Sequence, residues 1–164
     1  MATHTHTATI EWNGNGSVFT DNRYSRAHHW TFDGGAVVSA SSSPHVVRLP
    51  FSDPAGVDPE EAYVAALSSC HMLWFLSIAA SEGYAVTSYR DEAEGTMAKN
   101  EAGKEVVTRV VLRPHVVFHG AHGAKAPTDE ALAHLHHRAH EECFLANSVK
   151  TVIDVEGSWA WQAA

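Results

Sequence analysis

Thiols are scarce in this chain. Cys70 and Cys143 are the only cysteines in 164 residues, too few for the stapled scaffold of a small secreted protein. A reducing cytoplasm is therefore the expected compartment, and any disulfide would be catalytic or regulatory. Positive charge is scarce too. Eleven Lys and Arg stand against 19 Asp and Glu, a formal net charge of −8, which argues against a nucleic-acid partner. No apolar stretch follows a basic start, so no signal peptide is expected. There is no glycine-rich phosphate loop of the usual patterns, and Asn147-Ser148-Val149 is not a glycosylation sequon. Internal repeats and linkers are also lacking, so one domain over residues 1–164 is expected.

What is present is a globular balance, 45% hydrophobic and 18% charged residues, enough for a modest core. Thr5 to Trp12 reads as a strand with Ala8, Ile10 and Trp12 on one face. Asn13-Gly14-Asn15-Gly16 is a turn signal, and Ser17 to Thr20 reads as a second strand closing a hairpin. Trp30 to Phe32 and Ala36 to Ala40 flank Asp33-Gly34-Gly35, a further hairpin. Val46 to Leu49, which holds Arg48, reads as short and extended, and Pro50 to Val57 as loop.

The first helix has clear punctuation. Asp58 suits the N-cap, Pro59 the first helical position, and Glu60 and Glu61 complement the positive helix end. Gly83 is the expected stop. Between them, Ala62 to Ala80 is apolar on nearly every face and close to membrane-span length. Ser68, Ser69, His71 and Ser77 interrupt it and no basic residues flank it, so a buried core helix is expected and no membrane partner. A helix apolar all round needs burial on every side. A chain this small does not surround one alone, which points to a homodimer.

Tyr84 to Lys99 and Glu105 to Phe118 read as two long strands around Asn100-Glu101-Ala102-Gly103. The second alternates as a half-buried antiparallel strand. A Gly/Ala-rich loop is expected over 119–126. Pro127-Thr128-Asp129-Glu130 opens a second helix that runs to about Cys143, with Leu132, Leu135, Ala139 and Cys143 on one face. Ser148 to Gly157 reads as a final strand. Strands in runs around two helices predict an α+β fold.

The residues alone leave Cys70 and Cys143 open between two readings. Each is a small buried hydrophobe, or the two form a reactive and a resolving thiol. The second requires a cation near Cys70 to hold a thiolate. No Lys or Arg lies between Val57 and Tyr89, so the cation must come from elsewhere, and Arg48 is the nearest upstream. A disulfide further requires Cα atoms within about 7 Å. His134, His136, His137 and His140 crowd the second helix, where the pairs at i, i+4 and i, i+3 could chelate a metal. Because Leu132 and Leu135 take the buried side, these imidazoles read as a solvated face. Ser69 and His71 lie on different helix faces and make no triad with Ser68.

At Asp58-Pro59-Glu60-Glu61 followed by Ser68-Ser69-Cys70-His71, the chain resembles the OsmC/Ohr family of osmotically inducible and organic hydroperoxide resistance proteins. The resemblance runs over nearly the whole chain, from the early strands and the Pro59-Glu60 pair to the second cysteine at a helix end and the strand after it. It implies antiparallel sheets around long buried helices in an intertwined homodimer, with sites at the subunit interface. It implies a cysteine-based peroxidase that reduces organic hydroperoxides in stress defence. No cofactor is implied as bound; the reductant is an external dithiol, typically a lipoyl group or lipoylated protein. Carried over by position, Cys70 matches the peroxidatic cysteine, Cys143 the resolving one and Glu60 the family glutamate. Arg48 matches the arginine a short way before the Pro-Glu pair at slightly longer spacing, with Arg23 and Arg26 as alternatives. Met72, Leu73, Trp74 and Phe75 would wall the peroxide site.

The chain also departs from the pattern. Where the family usually has Pro after the second cysteine it carries Phe144-Leu145-Ala146-Asn147-Ser148, and His71 is an unusual follower of the first. These mark a divergent subgroup, for which a non-enzymatic stress or binding protein and a His-rich metal-binding protein are the rival readings. One straight helix would separate Glu60 from Cys70 by about 15 Å. Either that helix starts late or bends, or the glutamate comes from the partner subunit, which is the arrangement expected here.

Overall fold

The computed structural model describes residues 3–120 and 124–163; residues 121–123, inside the loop expected over 119–126, lie outside the described residues. The chain forms two compact units, Met1–Ala62 and Tyr63–Ala164.

In the first unit, strands β1 (Ala8–Glu11), β2 (His28–Phe32) and β3 (Val37–Ala40) form an antiparallel sheet in the order β1-β2-β3. The hairpin around Asp33-Gly34-Gly35 is as expected. The strand expected at Ser17 to Thr20 is absent, and β1 pairs instead with β2, Ile10 opposite Trp30. Positive φ at Asn15 (43°) and Gly16 (76°) turns the chain away from β1. Phe19–Asp21 then forms a 3-10 turn. Phe19 stacks on Tyr24 at 4.5 Å, and both pack on Trp12 at 5.7 and 5.3 Å. Trp12 Nε1 donates to the Ser25 carbonyl at 2.7 Å. Aromatic packing and two left-handed residues outweigh the short alternating pattern. The segment around Arg48 is likewise a turn rather than extended, because the Ser43 carbonyl accepts from the N–H groups of both Val46 and Val47.

Helix α1 (Pro59–Ser81) begins where the punctuation places it. Asp58 Oδ1 accepts from Glu61 N at 2.7 Å and Glu61 Oε2 accepts from Asp58 N at 3.2 Å, a reciprocal capping box. It ends at Gly83, whose φ of 81° lets its N–H reach the Ala80 carbonyl and that of Tyr84 reach Ala79. By length and composition α1 would also pass for a membrane span. In the second unit, however, Leu67, His71, Phe75, Ile78 and Ala79 are buried. As expected of a chain too small to surround the helix alone, Ala66, Ser69, Leu73, Ser77 and Ala80 are exposed along one stripe.

Both long strands expected between Tyr84 and Phe118 are broken. They form β4 (Val86–Asp91), β5 (Glu94–Lys99), β6 (Glu105–Leu112) and β7 (Pro114–His119). The halves belong to different sheets, β4-β7-β9 and β5-β6-β8. The break sits at Arg113, where Pro114 can open a strand but not run through the middle of one. There the Arg113 N–H donates to Asp91 Oδ1 at 2.6 Å instead of to a strand neighbour. The final strand also divides, into β8 (Val152–Val155) and β9 (Ser158–Gln162), which run parallel to β6 and β7 respectively. Both sheets are thus mixed rather than purely antiparallel. Helix α2 (Asp129–Glu142) is capped by Thr128, whose Oγ1 accepts from Ala131 N at 3.2 Å.

The main core of this unit joins Phe75, Ile78 and Ala79 of α1, Val116 and Phe118 of β7, and Leu132, Leu135 and Ala139 of α2. A second cluster holds Leu67, Val110 and Leu112. Each fully buried large side chain here contributes roughly 1.5–3 kcal/mol. The fold is α+β.

Candidate functional site

The two thiols come from the two helices. Cys70 is half-buried at the middle of α1, and Cys143 is 1% exposed at the C-cap of α2. They are free, and Cys70 lies close enough to bear on the Cys143 thiol. Burial pushes the Cys143 thiol up to about 11, the neighbouring Cys70 adds to this, and the Ala146 N–H, 3.5 Å from Sγ, opposes it.

The segment Phe144-Leu145-Ala146-Asn147-Ser148 after Cys143 is a tied turn. Asn147 Nδ2 donates to the carbonyls of Glu141 and Cys143 at 2.8 and 3.0 Å, and Ser148 Oγ donates to that of Phe144 at 2.7 Å. This turn fixes the chain on leaving Cys143 without a proline. It also presents Phe144, 69% exposed, edge-on to Trp74 with ring centroids 5.4 Å apart. Leu73 is exposed on α1. The apolar rim of the thiols is therefore Trp74 and Phe144. Phe75, expected in that wall, is fully buried in the core.

The charged candidates lie in the first unit, the thiols in the second. Glu60 is half-buried in the first turn of α1 and Arg48 is exposed. Because α1 starts at Pro59, a late helix start is excluded. Arg26 is committed locally: its guanidinium donates to the Asn22 carbonyl and Asn22 Oδ1 and lies 3.9 Å from the Tyr24 ring centroid. Arg23 lies over Phe51 at 5.9 Å.

Two histidines take a role that sequence reasoning did not give them, and the solvated reading of His136 is corrected: both it and His71 are buried. His71 is 1% exposed and His136 5% exposed, and His71 Nε2 lies 3.0 Å from His136 Nδ1. The His136 ring stacks on Phe75 at 4.4 Å. Its Nε2 is buried without a partner. Burial, with His140 adding to it, lowers His71 to about 4. Burial and then His71 lower His136 to about 3. Both rings are neutral near pH 7. The signal was available, since His136 continues the Leu132, Ala139 and Cys143 face. The solvated reading holds for His137, which pairs with Glu141 at 3.4 Å. Among the described residues no group of three or more His, Cys, Asp or Glu could hold a metal ion. A cleft of about 800 Å³ between α2 and the β8–β9 link is lined by His136, His140 and Gly157 but by neither cysteine.

Residues 52–157 match the model of the OsmC-like protein family. An OsmC-like protein of unknown function from Vibrio cholerae is 56% identical, with 94% of this chain and 99% of that chain covered and a TM-score of 0.89. An organic hydroperoxide resistance protein OsmC from Legionella pneumophila is 14% identical over 98% of this chain and 99% of that one, TM-score 0.63. The organic hydroperoxide resistance protein OhrB of Bacillus subtilis is 17% identical over 96% and 98%, TM-score 0.59. The last two are likenesses of fold alone. No curated protein matches the sequence.

Proposed function

The chain belongs to the OsmC-like protein family, and from that premise we propose that it is a cysteine-based peroxidase reducing organic hydroperoxides in stress defence. The observation that carries this reading is the contact of its only two thiols, one from each helix.

The Cys70 thiolate attacks the distal oxygen of the hydroperoxide, the O–O bond breaks, and the alkoxide leaves as alcohol after taking a proton. Cys70 becomes a sulfenic acid. Cys143 then attacks that sulfur. A thiol pushed up to about 11 keeps its proton at pH 7, so the proton departs with the sulfenic oxygen as water and a disulfide remains. An external dithiol, lipoyl or lipoylated protein, restores both thiols by exchange. The rim of Trp74 and Phe144 favours an organic substituent over hydrogen peroxide.

Arg48 supplies the cation that stabilises the thiolate, held by a carboxylate in a bidentate pair. Glu60 and Cys70 are ten positions apart on α1, about 15 Å of helix rise. With a late start excluded, a bend in α1 or the partner subunit remains, and this reading takes the second: the carboxylate in each site is Glu60 of the partner subunit in a homodimer. The exposed stripe of α1 supports the dimer, because Leu73 is 62% exposed and its neighbours along the stripe are small.

The test is consumption of cumene hydroperoxide with dihydrolipoamide as reductant. Turnover in the wild type and its loss in Cys70→Ser are expected. No consumption by the wild type would leave a non-enzymatic member of the family.

A further inference from the structure

We propose that His71 and His136 are positioning residues for the thiol couple: their buried hydrogen bond seats α2 on α1 so that Cys143 meets Cys70. This rests on the proposed thiol chemistry but adds two residues to it.

His71 directly follows Cys70 on α1, and His136 precedes Cys143 by seven residues on α2. Seven residues are two helical turns, so His136 and Cys143 share the face turned to α1. The two helices are thus joined by the ring-to-ring hydrogen bond of His71 and His136, and Cys70 and Cys143 are near neighbours. Away from the cleft, its neighbours restrict His136. Phe75 stacks on one face. At its edge lies Gly157, where an added Cβ would sit 2.5 Å from His136 Nε2 and 2.6 Å from Cδ2. Glycine at 157 is therefore a condition of the seat, although its φ is one any residue adopts. Three elements, α1, α2 and the β8–β9 link, converge on one imidazole whose Nδ1 is bonded to the residue after the reactive thiol.

A proton relay from Cys143 is the competing role, and the directions of the shifts oppose it. Bases lowered to about 4 and about 3 do not take a proton from a thiol pushed up to about 11. The pair acts through position, which sets the effective concentration of one thiol at the other.

The measurement is the equilibrium between reduced protein plus oxidised glutathione and the Cys70–Cys143 disulfide plus two reduced glutathiones, in wild type, His136→Leu, His136→Gln and Gly157→Ala. Loss of one buried hydrogen bond should shift the His136→Leu equilibrium toward the dithiol by about tenfold. Gly157→Ala, which touches neither histidine nor cysteine covalently, should shift it the same way. His136→Gln keeps a hydrogen-bonding group and should return to within about threefold of wild type. Near-UV circular dichroism confirms that each variant is folded. A wild-type equilibrium in folded His136→Leu or Gly157→Ala would overturn the proposal, as would a folded His136→Gln no better than His136→Leu. A wild type that forms no Cys70–Cys143 disulfide would overturn it as well. A wild type that forms the disulfide with glutathione yet leaves cumene hydroperoxide unconsumed would sink the peroxidase reading alone.

Discussion

His71 on α1 and His136 on α2 face each other at 3.0 Å, both buried and both neutral. Two imidazoles held this way make the fold sensitive to acid. Their folded-state values, about 4 and about 3, lie below the ordinary 6.5. The unfolded chain therefore binds more protons than the folded one between those limits. Stability is fully present above about pH 6.5 and is lost as pH falls toward 4, by on the order of a few kcal/mol for the pair. Urea midpoints measured from pH 7.5 to 4.5 should fall with this profile. They should flatten in a His71→Leu/His136→Leu double variant.

The two thiols differ in access, and burial raises the proton affinity of Cys143. Cys143 is 1% exposed and pushed up to about 11, whereas Cys70 is only half-buried. At pH 8 the thiolate fraction of Cys143 is on the order of one in a thousand. Limiting iodoacetamide should label Cys70 first, by more than an order of magnitude in rate, as read by peptide mass. Equal labelling would contradict the burial of Cys143.

Asp91 joins the places where the strands break. It accepts from Ser68 Oγ of α1 and, through Oδ1, from the Arg113 N–H. Asp91→Ala strands both donors and should cost about 1–3 kcal/mol, seen in thermal melts, with Asp91→Asn costing less.

The stripe of α1 left open by its own chain predicts a partner. Leu73→Glu should convert the protein to monomer in sedimentation velocity, since a charge placed in an apolar interface is strongly unfavourable. An unchanged association state would place the partner face elsewhere.

Much of this architecture is legible in the sequence. The capping box at Asp58 and Glu61, the stop at Gly83 and the inward stripe of Leu132, Leu135, Ala139 and Cys143 are local chemistry, and local chemistry is what a sequence displays. The failures are tertiary. Pro114 was a visible break that the alternating valines on either side overrode. The split of β8 from β9 at Glu156-Gly157 belongs to a close approach by His136, a residue twenty or more positions away. Trp12, Phe19 and Tyr24 cluster across a turn that reads as a hairpin. The buried histidines fall between these cases. Each lies on a recognisable apolar stripe, yet only the crossing of α1 and α2 makes the two satisfy one another.

The central claim is that Cys70 and Cys143 act as a redox couple. Reduced protein treated with one equivalent of cumene hydroperoxide, then analysed by intact mass and thiol titration, tests it most directly. Loss of both thiols with a mass lower by two hydrogens, about 2 Da, is the predicted result. Two persistent thiols with the peroxide unconsumed would contradict it.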